Sequence, residues 1–188
     1  MKKTILPALM LLFFATSAFA QQPRLDIGLA HQWNFLDRDA ALTATRYWGD
    51  NGVRVGLHYF QHTAQQAVSW YRPRALNFGQ HFGFSLAYER RIHLPDSDLE
   101  LYPFVGGQAF KVAYVKQDEN FVQKAEEPAV NLNTHLGVLV KVKLHRRIFV
   151  EASAALGPNW SWGQQWGGKN VEFGGLSGTF ALGALYRF

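Results

Sequence analysis

Seven histidines are the side chains here best suited to chemistry: His31, His58, His62, His81, His93, His135 and His145. A metal centre needs convergent His, Cys or carboxylate ligands. The chain has no cysteine and no His-x-His pair, and His58 and His62 stand four apart where an extended segment is ending. No metal is expected, and neither a disulfide framework nor thiolate chemistry is available. His81, Ser85 and Glu89 share one face of an extended segment. They offer a base, a nucleophile and an acid. Residues four apart on a strand are separated by roughly 13 Å at ~3.3 Å per residue, far beyond hydrogen-bond reach. They read as polar filler, and a working nucleophile-base pair would have to be assembled across strands. Gly49 to Gly52 is a tight turn, and the Gly-rich run near Gly167 lacks the Gly-Lys-Ser/Thr ending of a nucleotide loop. No cofactor and no catalytic motif follow, so no enzymatic activity is expected.

The elements that carry these residues alternate with period two. Leu25, Ile27, Leu29, His31, Trp33 and Phe35 oppose Asp26, Gly28, Ala30, Gln32 and Asn34. Such alternation marks strands with one apolar face. Residues 36 to 39 form a short loop. A second strand, 40 to 48, has a parity that can be drawn either way. Asn51-Gly52, in the run Gly49-Asp50-Asn51-Gly52, suits a type I′ hairpin. After it Val53, Val55, Leu57 and Tyr59 oppose Arg54, Gly56, His58 and Phe60. The segment 61 to 77 is a long loop. Phe82, Phe84, Leu86 and Tyr88 lead a fourth strand, over roughly 78 to 92, and 94 to 98 is a turn by composition. A fifth strand, about 99 to 115, places Tyr102, Phe104, Phe110, Val112 and Tyr114 on the apolar face. Gln108 interrupts that face and suggests a bulge near Gly106-Gly107. Residues 116 to 128 form a charged loop.

A sixth strand, 130 to 144, sets Leu132, Leu136, Val138, Val140, Val142 and Leu144 against Asn133, His135, Gly137, Leu139, Lys141 and Lys143. A short turn, 145 to 147, leads to a seventh, with Ile148, Val150, Ala152, Ala154 and Leu156 outward. Pairing Leu144 with Ile148 then sets Lys141 opposite Glu151. Residues 163 to 173 form a Gly-rich loop. The last strand reads GLSGTFALGALYRF, in which Phe180, Leu182, Tyr186 and Phe188 lie on one apolar face. Aromatics gather at two heights. Tyr88, Tyr102, Tyr186 and Phe188 lie toward the short turns, and Trp33, Tyr59, Phe82, Tyr114, Trp160 and Trp162 toward the long loops. Two membrane interfaces select such girdles.

Residues 1 to 20 have Lys2 and Lys3, a short apolar run and Ala18-Phe19-Ala20, the pattern of a secretory signal peptide. Residues 21 to 188 are then one domain. Removing two lysines and no acids lowers the formal charge from +5 to +3. The basic residues are scattered over strand ends, so nucleic acid is not an expected partner.

These features together resemble the small eight-stranded bacterial outer-membrane barrels, such as the OmpA transmembrane domain, OmpX and OmpW. The expected fold is all-β: an eight-stranded antiparallel up-and-down transmembrane β-barrel. A lipocalin-like soluble barrel keeps its apolar face inside. Here the opposite face carries Asp26, Arg54, His58, Glu89, Lys111, His135, Lys141 and Glu151, which suit a polar lumen. The resemblance implies a bacterial outer-membrane location, lipid and lipopolysaccharide surroundings, and a monomer. It also implies that the barrel-assembly machinery reads the terminal strand. In the outer-membrane lipid A deacylases a His-x-Ser pair works on a lipid-facing strand, and no histidine here is followed by such a serine. Trp70, Tyr71, Arg72 and Arg74 lie in a long loop and are a candidate surface contact, with the arginines facing lipopolysaccharide phosphates. The expected role is structural or surface-interacting, with the lumen plugged by polar side chains. A lipid-modifying enzyme and a small pore or carrier are the alternatives.

Overall fold

The structure, a computed structural model, describes residues 24–34, 38–61, 80–95, 97–112, 115–118, 121–124, 129–166 and 169–188. Ten strands follow in order: β1 (Arg24–Asn34), β2 (Arg38–Trp48), β3 (Asn51–Gln61), β4 (Gln80–Arg90), β5 (Leu99–Val112), β6 (Val115–Asp118), β7 (Phe121–Lys124), β8 (Ala129–His145), β9 (Ile148–Trp166) and β10 (Lys169–Arg187). Eight of them close into an antiparallel ring, β1-β10-β9-β8-β5-β4-β3-β2, and β6 and β7 pair only with each other. Each ring strand neighbours the next ring strand in sequence, and β10 returns to β1. The ring leaves no strand edge unpaired, as a sheet in hydrocarbon requires. β1 to β4 are 11 residues each, the length of a tilted membrane-crossing strand.

Alternation sorts the side chains. Leu29, Phe84, Leu136 and Leu176 are about 70% exposed on the outer face. Asp26, Thr45, Glu89, Lys141 and Glu151 point inward and are buried. Polar inside and apolar outside inverts a water-soluble barrel, and hydrocarbon is the solvent that stabilises it. Aromatic pairs sit near the two rims. Tyr59 and Phe82 stack at 5.4 Å and Trp33 and Phe180 at 5.7 Å toward one end, while Tyr186 and Phe188 meet at 4.8 Å at the other.

The strand between 38 and 48 takes one parity. Asp39, Ala41, Thr43, Thr45 and Tyr47 face the lumen, so Asp39 belongs to β2 and not to the preceding loop. Trp48 pairs with Asn51, so the turn residues are Gly49 and Asp50, and Gly49 takes the positive φ of 63°. Asn51-Gly52, expected at the turn, already lies in β3.

Several expectations need correction. In β5 the face is inverted: Tyr102, Gln108 and Phe110 are buried in the lumen, and Val105 and Lys111 are exposed outside. Tyr102 therefore leaves the predicted girdle, and Lys111 leaves the predicted lumen network. Gly106 and Gly107 hold one register with β4 and β8, so no bulge forms there. The outward positions of β5 include Pro103, Gly107 and Ala109, which give a weak apolar signal. Tyr102, Phe104 and Phe110 fill the lumen instead, and Tyr114 lies outside the described residues. Residues 116 to 128 include most of the β6–β7 hairpin, and most of 163 to 173 extends β9 and β10. Leu144 does not pair with Ile148, because an irregularity between Lys143 and His145 brings His145 opposite Ile148.

Candidate functional site in the lumen

Two polar assemblies occupy the lumen. The first is a charged layer near the short-turn end. Lys141 is fully buried, and its three N–H groups meet three acceptors: Asp26 Oδ2 at 3.1 Å, Tyr47 Oη at 2.6 Å and Glu89 Oε1 at 3.5 Å. Tyr47 in turn donates to Glu89. Arg54 closes a fork on Glu151, at 2.9 and 2.8 Å, and donates from Nε to Glu89 at 3.0 Å. Arg187 bridges Asp26 at 3.0 Å and Glu100 at 2.7 Å. Arg24 donates to Tyr102 Oη at 2.8 Å, and Tyr102 donates to Glu100 at 2.6 Å. The Lys141 ammonium lies 4.9 and 4.7 Å from the ring centres of Tyr47 and Tyr102. Four acids, Asp26, Glu89, Glu100 and Glu151, thus balance four bases, Arg24, Arg54, Lys141 and Arg187. A buried charge costs several kcal/mol unless it is paired and hydrogen-bonded, and this layer meets both conditions.

The register explains the layer and also shifts its partners. Lys141 does stand opposite Glu151 on β8 and β9. Among the described residues, however, no hydrogen bond or ion pair joins the two directly. Glu151 is taken by the arginine fork, a better geometric match for a carboxylate than an ammonium. Lys141 turns across the lumen to β1, β2 and β4.

The second assembly lies farther from the short turns. His58 on β3 is buried, and each of its two ring nitrogens has a partner. Nδ1 is 3.1 Å from Asp39 Oδ1 on β2, and Nε2 is 2.7 Å from Ser85 Oγ on β4. Asp39 is also buried and accepts from Gln108 Nε2 at 3.3 Å, while Gln108 accepts from Gln32 at 3.3 Å. Small residues make this possible. The direct cross-strand neighbours of His58 are Ala41 and Gly83, so the imidazole can reach the diagonal positions 39 and 85. Gly56 lies directly opposite Ser85, and a Cβ there would collide with Ser85 Oγ and come within 2.8 Å of His58 Nε2.

The predicted lumen residues Arg54, Glu89, Lys141 and Glu151 meet in the first assembly and His58 anchors the second. His135 lines the same cavity as Ser85, with its buried Nδ1 making no hydrogen bond among the described residues. Lys111 is outside. The trio of His81, Ser85 and Glu89 is dispersed. Ser85 turns to His58 and Glu89 joins the charged layer; the side chain of His81 lies outside the described residues. So do Trp70, Tyr71, Arg72 and Arg74, and the predicted signal segment 1 to 20. Phe180, Leu182, Tyr186 and Phe188 sit together on the outer face of the terminal segment. Arg24, Asp39, Tyr47, Glu100, Tyr102, Gln108 and Arg187 were missed as members of these assemblies, and Ser85 was expected only as polar filler. The hairpin at Gly49-Asp50 could have placed Asp39 diagonal to His58. Ser85 had no such signal, because β3 and β4 are joined by the long segment 62–79.

A search of solved structures finds the same architecture. The N-terminal β-barrel domain of OprF from Pseudomonas aeruginosa superposes with a TM-score of 0.57 at 13% identity, covering 89% of this chain and 100% of that one. A major outer membrane protein from Thermus thermophilus superposes with a TM-score of 0.56, also at 13% identity, covering 89% and 100%. The fold is that of the small outer-membrane β-barrels. No family model matches the sequence, and a search of curated proteins finds no match.

Proposed function

We propose that the chain serves as a plugged outer-membrane barrel with a structural or surface-interaction role. The observation that supports this reading is the charged layer of Asp26, Glu89, Lys141, Arg54 and Glu151, which spans the lumen through charge-assisted hydrogen bonds. An eight-stranded ring is only wide enough for its own side chains. An ion crossing this layer would have to break charge-assisted bonds made in a low dielectric, where they are strong. Outer-membrane lipids and lipopolysaccharide are the proposed surroundings, with Arg72 and Arg74 as the proposed phosphate contacts. The barrel-assembly machinery is the proposed reader of the terminal strand. Planar-bilayer recording of the purified monomer is the test. The expected trace has no steady conductance, and stable open channels would overturn the plugged reading.

A further inference from the structure

We propose that Asp39, His58 and Ser85 form a nucleophilic triad that hydrolyses small carboxylic esters inside the lumen. The inference goes beyond the structural reading and holds whether or not the charged layer blocks ions.

The hydrogen bonds assign the roles. The Asp39 carboxylate only accepts, so His58 carries its proton on Nδ1 and donates it there at 3.1 Å. Nε2 is then an acceptor for the Ser85 hydroxyl at 2.7 Å. Gln108 Nε2 lies 3.0 Å from the same Nδ1 and would favour the other tautomer. It already donates to Asp39 Oδ2, and the charge-assisted bond to the carboxylate is the stronger one. Nucleophile, base and orienting acid are thus connected in the order that acyl transfer requires. Gly56 is the second observation. Any side chain at that position would meet Ser85 Oγ and His58 Nε2, so the missing Cβ is what leaves this bond room.

Ser85 and His58 face a lumen cavity of about 80 Å³ that His135 and Gln108 also line. That is room for several waters, each needing about 10–15 Å³ of such volume, or for an acetyl-sized group. The side chains point inward, so an acyl chain in the bilayer does not reach them. A small ester entering along the barrel axis is the substrate class that fits. In the first step Ser85 Oγ bonds to the ester carbonyl carbon and its proton passes to His58 Nε2. The C–O bond to the alcohol then breaks, and His58 returns the proton to the departing oxygen. Water next attacks the acyl-serine, its proton passing through His58 to Ser85 Oγ as the carboxylic acid leaves. The sum is ester plus water to acid plus alcohol.

Methanesulfonyl fluoride is small enough for this cavity and tests the nucleophile without turnover. Ser85 Oγ would bond to sulfur, fluoride would leave, and the proton would go to His58. The folded full chain in detergent micelles should take one sulfonyl group, mapped by peptide mass to Ser85, and boiled protein should not. Ser97→Ala, at an exposed serine just before β5 and away from the cavity, should react at the parental rate. His58→Gln should react at least about a hundredfold more slowly, the usual contribution of a positioned base. Hydrolysis of p-nitrophenyl acetate should disappear in step with labelling. The mapping on parental protein decides even if a variant misfolds. An unmodified parent, or a label on another residue, would overturn the proposal.

Discussion

At the scale of single residues, the lumen separates position from partnership. Glu151 faces Lys141 in register, yet its carboxylate holds Arg54 in a two-bond fork at 2.9 and 2.8 Å. Removing one member of a buried pair costs about 3–5 kcal/mol, because the other charge stays buried and unmatched. Glu151→Ala should therefore lower stability by about that amount in urea unfolding from lipid vesicles. The coupling should be larger for Arg54→Ala with Glu151→Ala than for Lys141→Ala with Glu151→Ala. Contacting pairs couple by about 0.5–3 kcal/mol. Equal couplings in the two cycles would show that register, not the fork, sets the energy. Gly56→Ala asks a sharper question. Its new Cβ must push the Ser85 hydroxyl out of its rotamer, so the 2.7 Å bond to His58 should be lost. Sulfonylation of Ser85 should then slow at least tenfold while the barrel still folds. An undiminished labelling rate would mean that the His58 contact does not activate Ser85.

At the scale of elements, legibility followed the strength of alternation. β1, β3, β4 and β8 could be read directly, because their outward residues are Leu, Ile, Val and aromatics facing lumen residues that are small or charged. β2 could not, since Ala occupies both faces and Arg46 falls among the outward positions. β5 carries its aromatics on the lumen face, the reverse of what alternation suggests. Tyr102 is apolar enough to look lipid-facing, but its hydroxyl donates to Glu100 and its ring lies under Lys141. The charged layer was half visible, because inward acids and bases are conspicuous. The Asp39–His58–Ser85 chain was not. It needs two registers at once, and the β3–β4 register is not set by a tight turn. The terminal element can be tested by itself. β10 pairs with β1 from Asp26↔Arg187 to Asn34↔Thr179, and Phe188 N–H donates to Leu25 O at 2.8 Å. Deleting Phe188 removes one closing bond and an exposed interface aromatic, a small loss next to the whole seam. Refolding into detergent should stay near parental while the level assembled in cells falls several-fold. Equal membrane levels would show that the assembly machinery does not depend on this residue.

The molecule as a whole is held by closure. Every ring strand has two neighbours, so releasing any one of them opens two edges at once. Each edge would expose unpaired N–H and C=O groups to hydrocarbon at several kcal/mol per group. Partial opening is therefore more costly than its share of the ring suggests. The lumen reinforces this, because Lys141 on β8 is bonded to Asp26 on β1, Tyr47 on β2 and Glu89 on β4, across the barrel and not along the sheet. Seam and cross-braces should fail together. Unboiled protein should migrate in mild detergent electrophoresis as a compact band distinct from the boiled form, with one transition between them on heating. The midpoint should fall in Lys141→Ala without intermediate bands, because that side chain braces strands on opposite sides of the ring. Identical mobility before and after boiling would contradict a closed barrel. A ladder of intermediates in Lys141→Ala would show that sheet and lumen melt separately.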